Sequence, residues 1–378
     1  MEIITLAFFG IILIYALFIG VLTYGFKKIK YFESNDLPPK TNFSIIVPFR
    51  NEANNLPELL YSFSQLNYPT DKFEILFVND NSEDNSVEII KSFPALSFPF
   101  QIIENARISN SPKKDAISAA ISLIQNEWIL TTDADCYVHA DWLRTLDAYI
   151  QTHNPQMIAG AVSFLCEESF LHQFQQLDLM SLQGATIGSF GIQRPFMCNG
   201  ANLGYTKKLF QTLNGFNGNS QIASGDDVFL LQKAILSSEC GIAKVHYLKA
   251  DENIVLTKPT ANWKSLFYQR IRWASKTTSY KSGFGKTLAI IVFLGNLAVV
   301  ISLVLTCFSL FSFWNWYLLL AVKIAVDFSI LYQTGKFIKP KTVKFFLLSN
   351  LCYPFFSVAV ALYSLIGRYE WKGRKFKY

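Results

Sequence analysis

Three hydrophobic patterns succeed one another along the chain. Residues 3–26 form an apolar run of 24 residues without a charge, long enough to cross a bilayer as a helix. Its positive residues, Lys27, Lys28 and Lys30, come after the run instead of preceding it. That order marks an anchor, not a cleaved signal, and sets the next part of the chain on the cytoplasmic side. Residues 34–40, with Asp36 and the pair Pro38–Pro39, read as a short linker.

Short apolar runs then alternate with amphipathic ones. Strands are predicted at 43–48, 73–78, 100–104 and 128–132. Between them, helical spacing of Leu56, Leu59, Leu60 and Phe63 predicts a helix at 55–66, followed by helices at 87–93 and 113–125. Strands alternating with helices imply a parallel sheet with right-handed crossovers. Beyond residue 140 the pattern loosens: helices at 141–151, 168–182 and 228–236, and strands at 157–164 and 242–248. Residues 196–205 (FMCNGANLGY) are glycine-bearing and predicted non-helical, beside a pocket. Residues 263–280 read as a basic, aromatic helix suited to a membrane surface.

The last third is apolar again. Residues 287–313 and 345–367 carry no charge, and each is long enough to span. Residues 314–334 also suffice but contain Lys323 and Asp327, four apart on one helical face and able to neutralise each other. With one anchor before the polar middle and three spans after it, the tail 368–378 falls outside, against the positive-inside rule. Either Pro354 turns the last segment into a re-entrant hairpin, or another segment does not cross. The expected division is therefore an anchor at 1–26, a cytosolic domain at 42–280 that includes the interfacial helix 263–280, a region of two to three spans at 287–367, and a basic tail at 368–378.

Composition sharpens this picture. Charged residues make up 16% of the chain and hydrophobic ones 51%, against roughly 25% charged in a soluble domain. The deficit is confined to the two ends. The net charge of +6 is placed beside the apolar runs, at Lys27–Lys30, Lys276–Lys286, Lys336–Lys344 and Arg368–Lys377. That placement suits anionic headgroups, while a nucleic-acid binder would carry its basic stripe within the polar middle. Six cysteines, no two closer than 30 residues, exclude a paired-cysteine metal or redox motif and fit a reducing compartment.

The chemistry gathers at strand ends. The strand at 128–132 runs into Asp133 and Asp135 (EWILTTDADCYV). Two carboxylates cannot be buried unpaired, so they belong at the strand's carboxyl end, where open α/β sheets bind ligands. Two acidic oxygens suit a hard divalent ion shared with a substrate's phosphates. Glu52 follows the first strand (VPFRNE) and Asp80 the second (VNDNS), while Asp226 and Asp227 precede the helix at 228–236. QRIRW (269–273) lies on the aromatic helix. No G-x-G-x-x-G follows the first strand and no Walker loop is present, so neither a dinucleotide fold nor an NTPase is supported.

In this order and between apolar ends, the clusters resemble the membrane-anchored family 2 glycosyltransferases of GT-A fold. Hyaluronan, cellulose and poly-N-acetylglucosamine synthases and ceramide glucosyltransferase are members. The resemblance covers residues 42–280, and Q-x-x-R-W is its most specific part. It implies an α/β nucleotide-sugar-binding domain with a mostly parallel sheet and a requirement for Mg²⁺ or Mn²⁺. By it, Pro48, Glu52, Asp80, Lys113, Asp133 and Arg272 would bind the UDP-sugar donor, Asp80 through the base. Asn79 stands where many members have a second aspartate, and Pro112 where the family has glycine. Asp133 and Asp135 would hold the metal and Asp227 would be the catalytic base. Gln269, Trp273 and Asp226 would face the acceptor.

Elementary chemistry supports these roles. A nucleoside diphosphate leaves readily only when a cation takes up its developing charge. Arg272 adds bidentate contacts to the same oxygens. Asp227 takes the acceptor's proton if held within hydrogen-bond reach. One in-line displacement inverts the anomeric centre, and no second carboxylate is placed as a nucleophile for retention. Plainer readings stand beside each role. Glu52 fits a helix-start acid, Asp80 an Asx-turn residue, Asp226 and Asp227 helix caps, Lys113 a solvated helix start and Arg270 a headgroup contact. His139 and His246 read as structural.

The expected function is thus inverting, metal-dependent transfer from a UDP-sugar to a membrane-associated acceptor, a lipid or a short glycan. The expected place is the cytoplasmic face of a membrane such as the bacterial inner membrane, among anionic lipids and without nucleic acid; the sequence leaves accessory subunits undecided. A processive polysaccharide synthase of the same family and an inactive membrane scaffold that keeps the fold are the alternatives.

Overall fold

The computed structural model describes residues 2–34, 36–94, 97–220, 222, 224–340, 343–366, 369–371 and 374–376. Much of the basic tail expected at 368–378, together with Lys341, lies outside them. The elements are, in chain order, α1 (Glu2–Lys28), β1 (Phe43–Phe49), α2 (Leu56–Ser64), β2 (Phe73–Asn79), α3 (Ser86–Ser92), β3 (Phe100–Glu104), α4 (Pro112–Leu123) and β4 (Trp128–Thr131). There follow β5 (Cys136–Tyr137), α5 (Trp142–His153), β6 (Met157–Gly160), β7 (Val162–Phe164), α6 (Phe170–Gly191), β8 (Leu203–Thr206), α7 (Lys207–Thr212) and α8 (Asp226–Leu236). The chain ends with β9 (Val245–Leu248), β10 (Val255–Thr257), α9 (Trp263–Ser275), α10 (Gly283–Cys307), α11 (Phe313–Ile338), α12 (Phe346–Ile366) and a hairpin of β11 (Tyr369–Trp371) and β12 (Arg374–Phe376).

These elements form two compact units. One comprises Lys30–Leu165 and Met197–Lys258. Its sheet has seven strands in the order β3-β2-β1-β4-β8-β6-β9. β1 runs parallel to β2 and β4, β6 parallel to β9, and only β8 is antiparallel to its neighbours. The central strands are apolar on both faces because helices cover both sides. Phe43, Ile45 and Val47 of β1 pack with Leu59, Phe63, Ile75 and Leu130 in one core. A second, three-stranded sheet has the order β5-β10-β7.

The strand expected at 157–164 is two strands in two sheets. The switch falls at Gly160 and Ala161, where Asn202 donates to the Ala161 carbonyl (2.9 Å) and the Asn253 carbonyl (2.6 Å). A Cβ on Gly160 would overlap the Asn202 and Asn253 amides. Hydropathy cannot register that change, because both halves are equally buried.

The other unit comprises Met1–Ile29, Cys166–Phe196 and Pro259–Tyr378. By length and composition α1, α10, α11 and the Phe346–Leu365 stretch of α12 are each capable of crossing a membrane. Helix α6 and helix α9 belong to this unit, although in sequence both lie within the polar middle. The amphipathic helix expected to end at 182 continues to Gly191. A Cβ on Gly188 would overlap the Leu22 carbonyl and one on Gly191 the Gly25 carbonyl, so α1 and α6 meet backbone to backbone. In the sequence those glycines look like helix breakers.

Pro354 lies inside α12, which continues through it as one helix, so the re-entrant hairpin is not formed. Lys323 and Asp327 pair at 2.6 Å, and the Tyr15 hydroxyl of α1 donates to the same aspartate. This bears out the mutual neutralisation inferred from spacing. The helix expected over 263–280 ends at Ser275, and a 3-10 turn follows at Lys276–Ser279.

Candidate active site

The site assembles where β1, β2 and β4 end side by side. Phe49 is in register with Asn79, and Ile46 with Thr131. The Asp80 amide still donates to Phe49 (2.9 Å) and the Thr132 amide to Ile46 (3.3 Å). Asp80 and the Asp133/Asp135 pair therefore leave the same sheet edge, and Pro48 sits one residue before the end of β1.

Beyond β1 and β2, two loops interlock. Arg50 Nη1 donates to the carbonyls of Asp80 and Asn81 at 2.9 Å, and Arg50 Nη2 meets Glu83 at 3.0 Å. The Glu52 amide donates to Ser86 Oγ (2.9 Å), and its carboxylate accepts from Asn55 Nδ2 (2.6 Å) at the start of α2. Asp80 accepts from Asn105 Nδ2 at 2.8 Å, and Arg107 Nε stands 3.9 Å away. Asn79 is engaged twice, accepting from the Ser82 amide (2.9 Å) and donating to Glu104 (3.0 Å).

A second cluster forms beyond β4. Lys113, in the first turn of α4, places its ammonium 2.6 Å from Asp133 and 3.5 Å from Asp226. Pro112 begins that helix, a position where its missing N–H costs nothing. Gly225 adopts φ +85° and turns the chain so that Asp226 and Asp227 open α8. Asp227 Oδ2 accepts from the Gly200 amide (3.0 Å), while Oδ1 accepts from the Val228 amide (2.7 Å). Thr131 of β4 donates to the Gly200 carbonyl at 2.7 Å. A Cβ on Gly200 would lie 3.0 Å from Asp226 Oδ2 and 3.3 Å from Lys113 Nζ.

Electrostatics follow from this crowding. Burial alone would lower the Lys113 pKa, but Asp133, Asp226 and Asp227 outweigh it and hold the ammonium protonated above its usual range. Burial, reinforced by Asp135 and Asp133, raises the Cys136 thiol well above its ordinary value and keeps it neutral. Lys113 is thus a member of a carboxylate cluster and not a solvated helix-start residue.

The remaining residues singled out by sequence belong to other elements. Gln269, Arg272 and Trp273 are on α9, in the unit that carries the long apolar helices. Arg270, read as a headgroup contact, is instead buried and paired with Asp178 of α6. His246 Nε2 donates to the Ala243 carbonyl (3.1 Å) and Nδ1 lies 3.1 Å from Tyr149 Oη, a structural place. Asn105, Thr131 and Gly200 were not assigned roles by sequence. Asn105 follows β3 as Asp80 follows β2, and its amide extends the same ladder to the Asn79 carbonyl at 2.9 Å.

A parallel α/β domain with its acids gathered along the carboxyl edge has the GT-A architecture of nucleotide-sugar transferases. Residues 44–212 match the family model described as glycosyl transferase family 2. By that match the α/β domain is similar to the nucleotide-sugar glycosyltransferases of this family.

One solved structure supports the fold, and two others resemble it more distantly. A mannosyltransferase from Pyrobaculum calidifontis, PcManGT, in complex with GDP-Man and Mn²⁺, is 16% identical, with 97% of each chain covered and a TM-score of 0.58. S. aureus TarS 1-349 in complex with UDP-GlcNAc is 13% identical over 88% of this chain and 95% of that one, TM-score 0.46. Glucosyl-3-phosphoglycerate synthase from Mycobacterium tuberculosis, in complex with Mn²⁺, UDP and glucosyl-3-phosphoglycerate, is 14% identical over 62% and 78%, TM-score 0.42. Comparison with curated proteins gives no match.

Proposed function

We propose that this enzyme moves a sugar from a UDP-sugar to a membrane-associated acceptor, a lipid or short glycan, with inversion and with a divalent cation. The observation that carries this reading is the meeting of Lys113, Asp133, Asp226, Asp227 and Gly200, drawn from four separate segments, within hydrogen-bonding distance. A helix cap would need only one of them.

Asp133 and Asp135 fit Mg²⁺ or Mn²⁺. Both are half-buried oxygen donors on one loop, and such ions take one or two carboxylates and fill the shell with water and phosphate oxygens. Among the described residues no group of three or more histidine, cysteine or acidic side chains forms a complete cage. When bound, the ion supplies positive charge to the departing diphosphate. The residues themselves do the rest. Lys113 neutralises the carboxylates and brings an ammonium to the phosphate side. Asp80, held by Asn105, accepts from the base, and Glu52 borders it. Asp227, fixed by two backbone amides, receives the acceptor's proton. Gln269, Arg272 and Trp273 serve acceptor and diphosphate as the family resemblance implies. The basic residues beside the apolar helices favour a cytoplasmic catalytic domain.

Transfer from a panel of UDP-glucose, UDP-galactose, UDP-N-acetylglucosamine and GDP-mannose, the last because PcManGT holds GDP-Man, tests this directly. The expected outcome is turnover with UDP-sugars that falls about 10³-fold in Asp227→Asn. Turnover with GDP-mannose alone overturns the donor, and an unaffected Asp227→Asn overturns the base.

A further inference from the structure

Asp178 of α6 and Arg270 of α9 are 5% and 6% exposed and form an ion pair through Oδ2 and Nε. A buried ion pair contributes little more to stability than apolar side chains of the same volume. What it supplies is direction, and here one guanidinium is used three ways. Its Nε meets Asp178, its Nη1 donates to Gln269 Oε1, and its face lies on the Trp273 ring with 4.1 Å to the centroid. Tyr353 of α12 also interacts with the Asp178 carboxylate, so three helices converge on it.

We propose that Asp178 and Arg270 are positioning residues that set the side chains of Gln269 and Trp273 for the acceptor. This rests on the reading of those two residues as acceptor-side groups. The pair fixes what they present. With Arg270 donating to its oxygen, the Gln269 amide is fixed in orientation and keeps both N–H donors, which suit hydroxyl or phosphate oxygens. With one face covered by the guanidinium, Trp273 has only its other face for an apolar surface. Lysine cannot replace Arg270, because its compact ammonium has no flat face to stack on Trp273 while its N–H groups reach Asp178 and Gln269.

The full-length protein in lipid nanodiscs tests this with three kinds of variant. Asp178→Leu/Arg270→Met removes both charges and fills the space with apolar atoms, restoring the thermal midpoint that either single change lowers. A merely structural pair would regain function with stability. The expected result is a near-native midpoint, at least a twofold rise in acrylamide quenching of Trp273 (read as the difference from Trp273→Phe), and at least a tenfold slower transfer of the sugar that the donor panel identifies. Native quenching and native transfer in that double variant overturn the proposal. Arg270→Lys, which keeps the charge but loses the fork and the stack, shows the same rise in quenching, and native quenching there overturns the proposal even if the double variant does not fold. Native transfer by Gln269→Ala and Trp273→Phe overturns the acceptor reading and the proposal with it. Slow transfer by those two beside a native double variant overturns the positioning alone.

Discussion

Lys113 shows how much a single side chain settles at this site. Its ammonium is held by Asp133 and Asp226, with Asp227 adding to the field. Because the folded-state pKa is raised above 10.5, its stabilisation is complete below the unfolded value and is lost only as pH climbs through the folded one. Lys113→Met leaves three neighbouring carboxylates without their cation. Its thermal midpoint is expected to fall by roughly 5–10 °C, with an unchanged gap to the native protein from pH 6 to 9 and a narrowing above pH 10. Differential scanning fluorimetry across that range checks it. A gap that closed between pH 7 and 9 would mean that a different group titrates there. In the sequence the family resemblance singled out Lys113 as a donor contact, but its carboxylate partners were not foreseen, since nothing local reveals a carboxylate 20 or 113 positions away. The D-x-D pair and Asp227 stood out in the sequence because strand ends and helix starts concentrate such residues, and the structure places them at those ends. Gly200 was legible only as part of a loop, since its role depends on Thr131 and Asp227 closing on it.

At the scale of elements, periodicity read the parallel strands and their helices closely, because a strand buried on both faces and a helix buried on one leave distinct patterns. It misread elements whose neighbours set their extent. The strand at 157–164 divides where Asn202 intervenes, and α6 outlasts its amphipathic stretch because its glycines admit the backbone of α1. This contact makes a sharp prediction. Gly188→Leu drives a side chain into the Leu22 carbonyl, and overlap with backbone has no cheap relief. The expected cost is more than about 4 kcal/mol, seen as loss of the monodisperse detergent-solubilised protein or a collapse of its thermal midpoint. A midpoint within about 2–3 °C of native would show that α1 and α6 do not meet as described. The short strands β5 and β10, two and three residues long, were invisible to pattern because they hold too few positions to alternate.

For the molecule as a whole, composition separated apolar ends from a polar middle, and four helices of the right length bear that out. Chain order suggested that everything between those ends was one cytosolic domain, whereas α6 and α9 pack among the apolar helices. The polar residues of α6 concealed this. Gln175 accepts from the Thr260 amide and hydroxyl, and Asp178 pairs with Arg270, so these groups are buried with partners and not solvated. Function was legible earlier than architecture, because motif chemistry survives where packing cannot be foreseen. The proposed chemistry comes down to one dependence: that Asp133 and Asp135 bind a cation through which the diphosphate is held. Thermal-shift titration of UDP with and without Mn²⁺, on the native protein and on Asp135→Asn, measures it. The expected result is a stabilisation of about 3 kcal/mol at a hundredfold excess over Kd, present only with Mn²⁺ and absent in Asp135→Asn; equal stabilisation without the metal, or in the variant, would contradict it.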